Sequence, residues 1–124
     1  MSCGERSSGE VAVNVFVTRE LLAGLAPGVH DYAEFFRSST LSLTVARWPA
    51  GSVDDQEPHT EDEVYYVVSG RARLSVARED VAVGVGSIAY VPAGVGHRFH
   101  DIEEDLEVIV FWAPPRLTNA PRGR

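Results

Sequence analysis

Four side chains in this sequence are of types that ligate metal ions or move protons, and their spacing allows them to meet. Glu57, His59 and Glu63 stand at intervals of two and four along GSVDDQEPHTEDEVYYVVSG, residues 51–70. An extended chain returns a side chain to the same face at every second residue, so all three can point one way. The fourth is His97, which follows a short apolar run and the turn Pro92-Ala93-Gly94 within residues 86–101. That turn sends His97 back toward the first group. Two imidazoles and a carboxylate are the ligand types of a facial metal site, and a second carboxylate beside them can add a ligand or act as a general base.

Strands must hold these residues in place. Val64 to Val68 is β-branched and aromatic and stops at Ser69-Gly70, so Glu63 opens a strand. Upstream, Thr40 to Trp48 reads as a strand with two faces, Leu41, Leu43, Val45, Arg47 and Ser42, Thr44, Ala46, Trp48, one of which lines an interior. Downstream, Arg71 to Arg78, Val81 to Val85, Ser87 to Val91, His97 to Asp101 and Leu106 to Trp112 are short strands divided by turn signals at Ser69-Gly70, Glu79-Asp80 and Pro92 to Gly94. Val11 to Val17 alternates apolar residues and predicts an N-terminal edge strand. Thr18 can cap a helical turn over Glu20 to Leu25, and His30 to Phe36 is irregular or a short strand. Residues 1–10 are expected to be a disordered tail and residues 116–124 a loose one, leaving one domain over 11–115. So many short strands indicate an all-β sandwich or barrel.

The two segments resemble the paired motifs of the cupin superfamily, G-x5-H-x-H-x3,4-E-x6-G and G-x5-P-x-G-x2-H-x3-N. Gly51, His59, Glu63 and Gly70 match the first in register; Gly86, Pro92, Gly94 and His97 match the second. Glu57 stands where the first motif has its first histidine, and Asp101 where the second has asparagine. The resemblance spans about residues 40 to 113 and implies a jelly-roll barrel, the double-stranded β-helix. It also implies a divalent metal ion held by His59, Glu63 and His97.

Glu57 decides the kind of site. As a fourth ligand it would neutralise a divalent ion and favour Fe²⁺ or Mn²⁺ over soft-ligand zinc, with Ni²⁺ and Zn²⁺ also possible. Unbound, it leaves three positions open for a chelating substrate and O₂, and it can serve as general base. It can also be one more solvated acid of the loop Asp54 to Glu63. Pro58 restricts Glu57 to extended geometry, which keeps residues 57 and 59 on one face and favours a site-facing carboxylate, as ligand before base. Counting by twos from Glu63 adds Tyr65 to the site face, and from His97 adds Phe99 and Asp101. Arg47 can anchor a substrate carboxylate, or Arg47 or Trp48 can simply pack along the barrel rim, the reading that residues at a barrel mouth favour. His30 and His100 have no motif support, and His100 should face away from His97.

Composition limits the partners. A net charge of −7 on 124 residues argues against nucleic acid. The single cysteine, Cys3, forms no internal disulfide and suits a reducing cytoplasm. No apolar run reaches the ~20 residues of a membrane helix, and residues 1–10 have no signal-peptide core. The resemblance implies a small organic molecule as partner and dioxygenase-like chemistry on Fe²⁺. A non-catalytic sugar or effector binding module and a metal-dependent isomerase or cyclase are the alternatives. A homodimer is expected through the N-terminal edge strand.

Overall fold

The computed structural model describes residues 13–120. Among these, a single helix, α1 (Thr18–Ala23), precedes eight strands: β1 (Asp31–Arg37), β2 (Ser42–Trp48), β3 (Asp62–Ser69), β4 (Ala72–Val76), β5 (Glu79–Val83), β6 (Ile88–Val91), β7 (His97–His100) and β8 (Leu106–Ala113). All pairings are antiparallel and form two sheets, ordered β1-β2-β8-β3-β6 and β5-β4-β7. This is the expected all-β jelly roll.

Sequence alternation sets which residues fill the space between the sheets. On β2 the face Thr44, Ala46, Trp48 turns inward, and on β8 Leu106, Val108, Val110 and Trp112 do the same. Tyr65, Val67, Leu74 and Phe99 complete the main core, and Phe99 is fully buried. The opposite face of β2 and β8 is also covered at one place: Val45 and Ile109 pack under Leu22 and Leu25. At six residues α1 lies far below the ~12–15 at which an isolated helix becomes marginal in water, so this packing holds it. Each leucine buried there contributes about 1.5–3 kcal/mol.

Several expectations change. Residues 13–17 are not a strand, and Val13 and Val15 are exposed; residues 11 and 12 lie outside the described part, as do residues 1–10. Alternation alone supplied no partner edge for that segment. The helix has Val17 at its N-cap and no capping hydrogen bond from a side chain, so Thr18 is its first residue and not its cap. Of the two readings of His30 to Phe36 the short strand holds: β1 pairs along β2 with a shift of register between Glu34 and Phe36. The hairpin between β4 and β5 turns at Ala77-Arg78, with Ala77 at a φ of 53°, because Asp80 is a strand residue facing Ser75 and accepts hydrogen bonds from Arg73 and Ser75. The segment after β8 is not loose at its start. Arg116 N–H donates to Ser42 Oγ (2.9 Å), and the buried Glu61 carboxylate accepts from Leu117 N–H (2.8 Å) and Asn119 N–H (2.9 Å). Residues 121–124 lie outside the described part.

Gly70 shows why one motif glycine is fixed. Its φ is 88°, and a Cβ there would lie 2.1 Å from the Asp105 carbonyl oxygen, so no other residue fits without moving the backbone. No helix in the described residues is long and apolar enough to cross a membrane.

Candidate metal centre

The two motif segments are joined by backbone before any side chain meets. Gly94 N–H donates to the His59 carbonyl (2.7 Å), and Ala93 N–H donates to Asp62 Oδ1 (2.8 Å). The loop carrying His59 is also pinned at its start. Buried Asp54 accepts from Phe99 N–H (2.8 Å) on β7 and from Gln56 Nε2 (2.7 Å). These bonds bring His59, the first turn of β3 and the start of β7 to one point inside the barrel.

At that point one atom of each of His59, Glu63 and His97 lies within 4.8 Å of the others. Glu63 Oε2 is shared: it is 2.6 Å from His59 Nδ1 and 3.2 Å from His97 Nε2. Glu63 Oε1 is buried and has no hydrogen-bond partner among the described residues. Burial by itself raises the Glu63 carboxyl, but the hydrogen bonds and charges of His59 and His97 more than reverse this and hold it at about 2. Burial pushes His97 down, and its bonds to Glu63 and the Val95 carbonyl outweigh that and leave it raised. The carboxylate is therefore ionised at neutral pH.

The hydrogen-bond roles test whether a cation fits. His97 Nδ1 is 2.9 Å from the Val95 carbonyl, an acceptor, so Nδ1 carries the proton. In the neutral ring Nε2 then presents a lone pair to the Glu63 carboxylate. Two acceptors 3.2 Å apart repel unless positive charge lies between them, either as a second proton on His97 or as a metal ion. The unpartnered Glu63 Oε1 adds a further free donor atom. Two imidazoles and an ionised carboxylate are a donor set that would hold a divalent ion.

Beside the donors, and separated from them by Tyr65 and Trp112, opens a cavity of about 250 Å³. Tyr65 faces both sides: its hydroxyl is 3.1 Å from His97 Nε2 and 3.3 Å from Gln56 Oε1, and burial followed by the charge of Glu63 raises its pKa, keeping it a neutral phenol. The edge of His59 meets the Trp112 ring, centroids 4.7 Å apart. His30 stacks on Trp48 at 4.7 Å and 12° on the far wall.

The predicted residues divide between these places. His59, Glu63 and His97 converge, and Tyr65 lines the site as period-two counting required. Phe99 lies beneath it as packing, its ring against Tyr65 and Trp48. Glu57 is exposed on the cavity wall and is not among the converging donors, because its loop passes over the cavity while the ligands lie deeper. Asp101 is exposed with a φ of 47°: the chain turns there and the alternation from His97 ends. Arg47 is on the outer face, where it donates to Glu107 (2.7 Å) and the Leu22 carbonyl (3.0 Å), so it cannot anchor a ligand inside. His100 does face away, pairing with Asp80. Sequence reasoning missed Asp54, Gln56, His30, Trp112 and Arg116. Only Trp112 carried a signal, its inward phase on β8.

Comparison with known proteins agrees with the architecture. The family model described as "Cupin domain" matches residues 44–114. An uncharacterized protein of Streptomyces coelicolor is 46% identical over 103 residues, covering 83% of this chain and 98% of that protein. The crystal structure of TT1209 from Thermus thermophilus superposes with a TM-score of 0.72 at 22% identity, covering 83% of this chain and 99% of that one. The DMSP lyase DddQ from Ruegeria pomeroyi gives 0.64 at 20% identity, over 73% of this chain and 52% of that one. With its motifs in register and its two sheets closed around them, this chain belongs to the cupin family.

Proposed function

We propose that this chain is a metal-dependent enzyme of the cytoplasm acting on a small organic molecule at His59, Glu63 and His97, with Fe²⁺ and O₂ chemistry of the dioxygenase type. The observation that carries the metal is the Glu63 carboxylate shared by two imidazoles with its second oxygen unpartnered in the barrel. The dioxygenase assignment rests on the donor count: with Glu57 outside the converging group, three protein ligands leave open positions for substrate and O₂. A bound divalent ion would supply Lewis acidity and, as Fe²⁺, an electron source toward O₂.

The protein's own groups have definable tasks. The Val95 carbonyl fixes the His97 tautomer. Tyr65, a neutral phenol, donates its hydroxyl to Gln56 Oε1 and holds the hydroxyl oxygen 3.1 Å from His97 Nε2. Trp112 and Trp48 restrict water on the cavity side. Glu57, on the cavity wall, would act as general base toward a bound ligand. One structural relative is a lyase, so this fold can host catalysis; at 20% identity its reaction is not carried over. The test is O₂ uptake by protein purified anaerobically and loaded with Fe²⁺, screened with catechols, thiols and β-diketones. Turnover with any of them that vanishes in His97→Ala supports the assignment; metal-loaded protein inert to all removes the dioxygenase reading.

We also propose a homodimer, now through the outer face of β3, β6 and β8. There Val64, Tyr66, Ile88 and Phe111 line one apolar groove, with Ile88, Tyr66 and Phe111 exposed, and β6 is a sheet edge. Light scattering at micromolar concentration should give twice the chain mass, and Ile88→Glu should halve it; a monomeric wild type overturns the dimer.

A further inference from the structure

Among the described residues Arg116 is the one arginine on the cavity wall; Arg19, Arg78 and Arg98 are likewise in no ion pair, but they do not line the cavity. Arg37, Arg47, Arg71 and Arg73 are each paired with a carboxylate. The guanidinium of Arg116 instead lies over the rings of Tyr32, 5.4 Å from the centroid, and Trp112, 5.5 Å away. Stacking uses the faces of a guanidinium and leaves its N–H edges free. Among the described residues no carboxylate lies within ion-pair distance of it.

The backbone holding Arg116 is fixed by hydrogen bonds on both sides. Its N–H donates to Ser42 Oγ and its carbonyl accepts from Arg37 (3.2 Å). The next residues are held by the Glu61 carboxylate, itself buried and kept below the ordinary range: burial pushes it up, and hydrogen bonds from Thr60, Asn119 and Leu117 outweigh that. Fixing a cation in place beforehand lowers the ordering cost of binding an anion.

We propose that the cavity binds a small planar carboxylic acid, its carboxylate on the in-plane N–H edge of Arg116 and its body among the aromatic walls. Arg116 is thus a specificity-determining residue. The cavity's apolar and aromatic lining, from Ala46 and Val110 to His30, Trp48 and Trp112, suits a flat hydrocarbon body. Glu57, the other charged group of the wall, repels an anion and so directs the carboxylate to Arg116. A volume of about 250 Å³ sits just below the ~300–1,000 Å³ of typical ligand pockets and suits a small ligand. The inference rests on the proposed small-molecule function for its biological meaning, though the binding itself requires no metal.

The chain's two tryptophans, Trp48 and Trp112, both line this cavity, so intrinsic fluorescence reports its occupancy. The experiment titrates benzoate and its neutral isostere benzamide into full-length protein, with and without chelator. Benzoate should quench saturably and bind at least tenfold more tightly than benzamide. Arg116→Gln should weaken benzoate by roughly 10- to 100-fold, the range for losing charged hydrogen bonds, and leave benzamide unchanged. Arg116→Lys should recover part of the difference, and Arg71→Gln, a residue that does not line the cavity, should leave benzoate affinity at its wild-type value. Equal affinity for acid and amide, an unaltered Arg116→Gln, or no saturable quenching by benzoate would overturn the proposal. Metal content is read separately: benzoate binding in metal-free protein upholds this inference even where the metal assignment fails, and the reverse pattern sinks this one alone.

Discussion

The two sides of the barrel interior satisfy their charged groups in opposite ways. On the β3–β7 side, one buried carboxylate serves two imidazoles and has an oxygen to spare, so negative charge is waiting for a cation. On the β1–β2 side, a half-buried guanidinium rests on aromatic faces with no carboxylate, so positive charge is waiting for an anion. Tyr65 and Trp112 stand between them. Such a division keeps the Glu63 carboxylate apart from the arginine, so that on the proposed function each half would recruit its own partner from solution.

The comparison can be broken from its floor. Phe99 packs under Tyr65 and Trp48, one from each side, and is fully buried. Phe99→Ala should cost about 3–5 kcal/mol in urea unfolding and loosen both regions together. A loss under about 1 kcal/mol would mean that the ring does not support the partition.

A smaller effect, in pH, sharpens the contrast. Glu63 is held at about 2 against an ordinary 4.5, so its stabilisation is complete above 4.5 and is lost as pH falls through about 2. His97 is raised above 6.5, so its contribution is complete below 6.5 and is lost as pH rises through its folded-state value. Metal-free protein should therefore be most stable between about 4.5 and 6.5. Stabilisation by added metal, which needs neutral imidazoles, should grow above that window. Thermal melts at pH 3, 5, 7 and 9 with and without Zn²⁺ check both slopes; a chelated protein that gains stability from pH 5 to 9 contradicts the charge pair.

The smallest expected effect belongs to Glu57. As an exposed residue of the cavity wall, Glu57→Gln should change stability by less than about 0.5 kcal/mol and leave metal content unaltered, while benzoate, relieved of a repelling charge, binds somewhat more tightly. A drop in metal content would return Glu57 to the ligand set.

The metal side was readable in the sequence because its information is local. Gly70, Gly94, Glu63 and His97 each sit at a strand end beside the turn that aims them, and two short motifs carry the whole geometry. The cavity side was not, because it is assembled from places far apart in the chain: His30 before β1, Gln56 in the loop, Trp112 in β8 and Arg116 beyond it. Alternation could not choose between the two faces of β2, since α1 buries Val45 on the outside as fully as Trp48 is buried within. The same ambiguity put Arg47 in the ligand's path and overlooked Arg116, whose position depends on a buried glutamate 55 residues upstream.

Metal stoichiometry tests the central claim most directly. Protein purified anaerobically and supplied with Fe²⁺, Mn²⁺, Ni²⁺ and Zn²⁺ in turn is analysed by elemental mass spectrometry beside folded Glu63→Gln and His97→Ala. The account predicts close to one ion per chain with at least one of these metals in the wild type and near-background content in both variants. Background metal in the wild type with all four, or full occupancy in both variants, would contradict it.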